Sequence, residues 1–275
     1  MPDYASPLSP LPICTTIDEV VAAIDSIIAW SMEAASSLGY FAALYKRITL
    51  AVGIAIEQHV FQDGARMERF DVEFAGRYFA ALNRYFYPGQ YGKPAHSWQV
   101  TFEAAHLEQP ILVQHMLAGV NAHIGLDLGI VAQGVAGGTQ LPSLREDFNR
   151  LNAVLASQVN GVVADINELS PVLADLYAVL QEQQIAVINE AVKVFRDSAW
   201  RFAVVLAAMP DILDPGVILA RDLQVAQQGA LAYSPPAPIA AFVKAIAARE
   251  SRDVVENLRV LDRIAATPAP ICTVM

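Results

Sequence analysis

The stretch that decides the fold runs from His115 to Gly129 and reads HMLAGVNAHIGLDLG. It is apolar enough for a protein core, yet it carries two histidines, an asparagine and an aspartate. An α-helix advances about 100° per residue, so His123 and Asp127 lie about 40° apart on one face. His115 lies about 80° from His123, and Asn121 falls on nearly the opposite side. The stretch therefore predicts a buried helix with one His–Asp pair, and a hydrogen bond from Asn121 to a neighbouring helix.

Helical patterns continue on both sides of this stretch. Thr16 and Glu19 form a capping box at the start of the first helix, and Ser143 and Glu146 form a second one. Apolar spacing and turn signals predict helices over 16–35, 38–60, 65–86, 98–106, 110–133, 143–169, 171–209, from 214 onward, and over 236–265. The predicted fold is all-α, a single compact bundle of about nine or ten helices over residues 16–265. A disordered or extended segment (1–15) precedes it and a tail (266–275) follows.

Composition narrows the class of protein. Hydrophobic residues make up 55% of the chain and charged residues 17%, against about 25% charged in an average soluble domain. Asp25, Arg47 and Asp222 interrupt the apolar segments, which predicts no transmembrane span. The N-terminus lacks the basic residues of a signal peptide, so we predict a cytoplasmic protein. A net charge of −10 argues against a nucleic-acid partner.

The polar clusters have more than one interpretation. His123 and Asp127 fit either a structural role, in which Asp127 forms an ion pair with an arginine and His123 donates to a carbonyl, or a metal site, including a zinc site with His115. Asp63 and Arg66 can pair across one turn. They fit either a solvated helix start or a carboxylate–guanidinium pair aimed into a pocket.

Two further motifs are weaker. Asn160 and Glu168, with Ala164 between them, have the spacing of the NSE magnesium motif of class I terpene cyclases, but the middle hydroxyl and the DDxxD motif are missing. The last residues, Cys272 to Met275, fit the prenylation pattern in form, but nothing polybasic precedes them, so we interpret this as chance. Cys14 and Cys272 form no disulfide framework.

Four blocks, residues 61–68, 121–128, 147–152 and 198–203, together resemble a helical family catalogued as a domain of unknown function. The resemblance spans about residues 16 to 210. Within that neighbourhood the chain looks like the fungal humulene synthases of tropolone-sesquiterpenoid pathways, which are all-α and lack the usual cyclase motifs.

The resemblance implies a sesquiterpene cyclase that ionises farnesyl diphosphate with Mg²⁺ and releases a humulene-type hydrocarbon. It implies a central cavity, which the aromatic residues Phe70, Phe74, Tyr78, Trp98 and Phe195 would line. The predicted metal ligands are Asp63, His123, Asp127 and Asp147. The predicted diphosphate-binding residues are Arg66, Lys193 and Arg196, and the predicted catalytic residues are Asp127, His123 and Trp200.

Two alternatives stay open at this point. One is a zinc- or iron-dependent hydrolase or oxygenase centred on the His and Asp face. The other is a helical binding protein without catalysis, in which the polar pairs satisfy one another. The sequence leaves a homodimer open as well.

Overall fold

The computed structural model describes residues 6–137, 140–170 and 182–271, without the side chains of 159–168, 182–188 and 238. These residues form helices and no strand, which confirms the all-α prediction. The helices are α1 (Ile17–Glu33), α2 (Leu38–Glu57), α3 (Gly64–Phe86), α4 (Pro88–Tyr91), α5 (His96–Ala104), α6 (Leu112–Ala122), α7 (Leu128–Ala136), α8 (Leu141–Leu169), α9 (Glu182–Ala208), α10 (Asp214–Tyr233), α11 (Ala237–Ala247) and α12 (Val254–Ala265). A π-helical turn (His123–Asp127) joins α6 to α7, and a short 3₁₀ turn (Asp211–Leu213) precedes α10.

Two of the predicted helix boundaries were wrong. Helix α8 begins at Leu141, and the Ser143 hydroxyl donates to the carbonyl of Gln140 at 2.8 Å instead of capping a helix. The predicted helix over 236–265 is two helices, because Asp253 starts α12 as an N-cap whose carboxylate accepts the Glu256 N–H at 3.0 Å. The first part of the helix predicted to begin at Ser170–Pro171 lies outside the described residues.

The segment before α1 packs on the bundle without forming a helix. Leu8, Leu11 and Cys14 are buried, and the Asn83 side chain accepts from and donates to the backbone of Leu11 at 2.8 and 3.0 Å. Thr16 caps α1 as predicted, accepting the Glu19 N–H at 3.2 Å. Residues 6–16 therefore form an extended segment that covers the core.

Helix α2 lies at the centre of the bundle and packs against α1, α3, α6, α8 and α12. By length and composition alone it could cross a membrane, but 61% of its apolar window is buried inside the protein, as in a core helix. It approaches α6 closely at Gly119, where a methyl group would overlap the ring of Phe41. This close contact holds the stretch of residues 115–129 against α2.

The π-helical turn interrupts that stretch at its two most polar residues. The Leu128 N–H bonds to the carbonyl of His123, five residues back. Such turns carry one extra residue and occur frequently at functional sites. On the opposite side, Asn121 donates to the carbonyl of Val225 in α10 at 2.9 Å, which confirms the predicted bond between helices.

Candidate functional site

The predicted His–Asp pair forms, and it lies in a buried hydrogen-bond network. One oxygen of Asp127 accepts from Arg77 Nε at 2.6 Å. The other accepts from Trp98 Nε1 at 2.8 Å and lies 3.2 Å from His123 Nδ1. The side chains of His123 and Asp127 are 3% and 1% exposed. This geometry matches the predicted ion pair of Asp127 with an arginine, whereas His123 lies beside Asp127 and not beside the predicted carbonyl.

Charges fix the protonation of this network. Burial opposes ionisation of Asp127, but the charge of Arg77 and the bond to His123 outweigh it, so the pKa of Asp127 lies below its usual range. Burial lowers the pKa of His123, although Asp127 opposes this. A neutral His123 therefore donates its Nδ1–H to Asp127. Its Nε2 has no hydrogen-bond partner among the described residues.

Most of the residues predicted to line a central cavity pack against one another. Phe74 stacks on the His123 ring, with centroids 3.5 Å apart. Tyr78 stacks on Trp98 at 5.0 Å, and Phe70 lies 6.3 Å from Phe74. These are core contacts between neighbouring rings, and within the described part of the chain the void that Tyr78 and Trp98 line is only about 10 Å³.

A second buried carboxylate lies beside this network without a partner. Asp71 is 5% exposed, and its Oδ2 has no hydrogen-bond partner among the described residues. Burial, with a contribution from the charge of Glu68, raises the pKa of Asp71 to about 7. Burial raises the pKa of the Tyr45 phenol, and the negative charge of Asp71 raises it further.

Asp147 belongs to a separate network at the start of α3. Its two oxygens accept the backbone N–H groups of Gln62 and Asp63 at 2.7 and 3.1 Å, and Arg66 lies 3.2 Å away. Arg66 also donates to the hydroxyl and carbonyl of Ser143. Asp63 caps α3 by accepting the Arg66 N–H at 2.9 Å. These bonds attach the start of α3 to α8.

The four predicted metal ligands therefore do not form one site, and this corrects the prediction. No group of three or more His, Cys, Asp or Glu side chains in the described part of the chain could hold a metal ion. Both oxygens of Asp127 and of Asp147 already accept N–H groups, and a guanidinium neutralises each carboxylate. A divalent cation would have to displace these arginines. The residues present do not fit Mg²⁺, nor do they form the zinc site with His115.

The predicted residues of α9 are scattered around that helix. Lys193 is on the surface, 4.0 Å from Glu190, and Phe195 is 40% exposed. Arg196 is buried and donates to Asn152 and to the carbonyl of Phe148, both at 2.7 Å. Trp200 lies 4.9 Å from the Phe148 ring. Arg196 is therefore a structural link from α9 to α8, and Asn160 and Glu168 fall outside the residues whose side chains are described.

A cleft of about 930 Å³ lies elsewhere, and we call it the His115 cleft. It is bounded by the start of α2, the segment 105–110, the start of α6, the end of α10, α11 and the segment 250–254. Its apolar wall includes Leu107, Pro110, Leu112, Ala240, Val243 and Ala247. The polar groups on its surface include Tyr40, Gln114, His115, Tyr233, Lys244, Glu250 and Arg252.

His115 lies near two phenol rings. The centroids of Tyr40 and Tyr233 lie 6.0 and 5.8 Å from the imidazole. Burial, reinforced by the charge of Arg252, lowers the pKa of His115 to about 4, so the ring is neutral at pH 7. No hydrogen bond joins its ring nitrogens to another described residue.

The phenols differ in their bonding. Tyr40 Oη accepts from Asn257 Nδ2 at 3.1 Å, and burial raises its pKa to about 12 despite that bond. Burial also raises the pKa of Tyr233, whose hydroxyl has no partner among the described residues. Both phenols therefore stay protonated at neutral pH.

The cleft is lined by two cations, Lys244 and Arg252, and by two carboxylates, Glu108 and Glu250. Arg252 donates to the carbonyls of Glu108, Pro110 and Ala247 at 3.0 to 3.1 Å. No ion pair joins Arg252 or Lys244 to a carboxylate within the described ranges. One oxygen of Glu250 accepts the Leu112 N–H at 2.8 Å, and burial raises the pKa of Glu250. Ammonium and guanidinium groups form strong, charge-assisted hydrogen bonds to anions.

Comparison with known proteins gives one match. The model of a family of unknown function, DUF5995, matches residues 17–235. The chain belongs to this family. No curated protein and no solved structure matches the chain. The DUF5995 match includes His115, Tyr40 and Tyr233, but it ends before Lys244, Glu250 and Arg252.

The sequence pointed to His115 weakly and missed the other polar groups of the cleft. They come from three regions of the chain, at Tyr40, at Gln114 and from Tyr233 to Arg252, so no single helical spacing relates them. Two local signals were available. Pro235–Pro236 marks the turn that brings Tyr233 and α11 together, and Ser251–Asp253 marks the turn that carries Arg252.

Proposed function

We propose that this DUF5995 protein is an enzyme that cyclises a prenyl diphosphate, with farnesyl diphosphate as its first candidate, and that the substrate binds in the His115 cleft. The observation that supports this proposal is that one cleft combines an apolar wall with two cations, Lys244 and Arg252, that form no ion pair with a carboxylate of the described residues. Its volume of about 930 Å³ lies at the upper end of the usual range for small-molecule sites, about 300–1,000 Å³. The resemblance to humulene synthases supports the choice of substrate.

In this proposal the two ends of the substrate meet different groups. Lys244 and Arg252 donate to the diphosphate oxygens, which develop negative charge as the carbon–oxygen bond breaks. The prenyl chain lies along Leu112, Val243 and Ala247. An apolar wall of this kind excludes water from a carbocation, which water would otherwise trap as an alcohol.

Mg²⁺ stays a predicted cofactor, but the four residues predicted to bind it are not suited to a divalent cation. The alternative of a zinc or iron enzyme loses its support for the same reason, since the arginine-bound Asp127 is the centre of that site. A binding protein without catalysis would use the same cleft, and turnover separates it from the enzyme.

The test is incubation of the purified protein with farnesyl diphosphate, with and without Mg²⁺, followed by gas chromatography and a diphosphate assay. We expect a cyclic hydrocarbon above the level of a boiled control, together with released diphosphate. Absence of both would refute the enzyme, and tight binding without turnover would favour the binding protein.

Variants locate the reaction in the cleft. Ala240→Trp fills the cleft from α11 and should abolish turnover, whereas Ala241→Trp places the same ring on the exposed neighbour and should not. Lys244→Met should raise KM at least severalfold, with the exposed Lys93→Met as the matched control. Equal effects of the paired variants would place the reaction elsewhere.

A further inference from the structure

We propose that His115 accepts the proton that the substrate loses when the hydrocarbon forms. The inference rests on the proposed function, because it assigns a step within that reaction. The supporting observation is an imidazole in the wall of the cleft whose ring nitrogens form no hydrogen bond with another described residue, with two phenol rings at centroid distances of 6.0 and 5.8 Å.

The step balances without a further reactant. The carbon–oxygen bond of the prenyl diphosphate breaks and its electron pair leaves with the diphosphate. The allylic cation then forms a carbon–carbon bond to the distal double bond, which moves the positive charge along the chain. A C–H bond next to that charge breaks, its electron pair forms the new double bond, and the proton moves to a ring nitrogen of His115.

A weak base suits this task. An imidazole whose pKa is about 4 is too weak for ordinary carbon acids, but a carbocation is a far stronger acid than an imidazolium. Because His115 stays neutral at pH 7, it adds no positive charge to a site that must hold a cation. The faces of Tyr40 and Tyr233 attract the positive charge before and after the proton moves.

The other basic groups that line the cleft are in different surroundings. Glu108 is exposed to solvent, and one oxygen of Glu250 has no hydrogen-bond partner among the described residues. His106 Nε2 lies 2.7 Å from the hydroxyl of Tyr85. The other oxygen of Glu250 accepts the Leu112 N–H, which ties that carboxylate to the start of α6. His115 has no such bond, and its 7% exposure limits access of water to it.

The experiment measures released diphosphate and organic products from the same reaction. We expect His115→Gln to release diphosphate at a rate within a few-fold of the unchanged protein. The ratio of hydrocarbon to diphosphate should fall by roughly 10²-fold, and terpene alcohols should replace the hydrocarbon as water traps the cation. His115→Phe keeps a ring near the two tyrosines and should give the same products, and the exposed His59→Asn is the matched control.

The outcomes separate the two proposals. An unchanged ratio of hydrocarbon to diphosphate in either His115 variant overturns the role of His115 and leaves the cyclase in place. If the unchanged protein releases no diphosphate from farnesyl diphosphate, the cyclase is refuted and the role of His115 falls with it.

Discussion

Replacing Asp71 with asparagine should stabilise the protein at neutral and alkaline pH. Asp71 is a buried carboxylate whose Oδ2 has no hydrogen-bond partner among the described residues, and its pKa is raised from 3.8 to about 7. The folded protein therefore binds the proton of Asp71 more tightly than the unfolded chain does. Stability falls as pH rises from about 4 to about 7 and then levels off.

The magnitude follows from the size of the shift. One pKa unit corresponds to about 1.4 kcal/mol, so the full shift costs about 4 kcal/mol once Asp71 is ionised. The protein has a pI near 4.9, so measurements should stay above that pH. Between pH 5.5 and 8.5 the advantage of Asp71→Asn should grow by about 2 kcal/mol.

The assay is urea unfolding followed by circular dichroism at several pH values, for the unchanged protein and for Asp71→Asn. Glu68→Gln serves as a second variant, because removing its charge should lower the pKa of Asp71 and shift the same curve to lower pH. A difference between Asp71→Asn and the unchanged protein that does not vary with pH would refute the reasoning. So would a protein that becomes less stable with asparagine at pH 8.

Two further predictions concern the core. Asp127→Asn should lower the free energy of unfolding by about 3 kcal/mol, because it leaves Arg77 and His123 without their carboxylate. The dependence of any turnover on Mg²⁺ should not change. If the variant instead keeps full stability and loses Mg²⁺ affinity, Asp127 is a metal ligand after all. Gly119→Ala should destabilise by about 1–3 kcal/mol, because its methyl group overlaps Phe41. Gly134→Ala in α7 is the control: its methyl group meets no atom within 4 Å, and it should stabilise the protein by about 0.5–1 kcal/mol. Melting temperatures that shift in the same direction for Gly119→Ala and Gly134→Ala would contradict the packing argument.

The helical fold could be predicted because its signals are local. Thr16 identifies the start of α1, and the apolar spacing from Leu38 to Ile56 identifies α2 without any tertiary information. Of the two errors, the missed start at Asp253 had a local signal, since Asp253 accepts the Glu256 N–H, but the error at Ser143 lay where tertiary contacts decide. Ser143 has the residue type of a helix cap, but its hydroxyl and carbonyl accept hydrogen bonds from Arg66 of α3.

The candidate site was harder to predict, because polar residues in a sequence do not reveal their partners. Helical geometry correctly paired His123 with Asp127, yet Arg77 and Trp98, which complete that network, lie 50 and 29 residues away along the chain. The same limit applies to the His115 cleft, since Arg252 reaches it from a turn near the end of the described chain. Spacing alone could not distinguish a satisfied core network from a site that faces a ligand.

The most direct test of the account is a crystal structure with farnesyl thiolodiphosphate, an analogue that resists ionisation. We expect electron density for the prenyl chain along Val243 and Ala247, for the diphosphate near Lys244 and Arg252, and for His115 facing the hydrocarbon. Density beside Asp127 or Asp147 with the His115 cleft empty would contradict it.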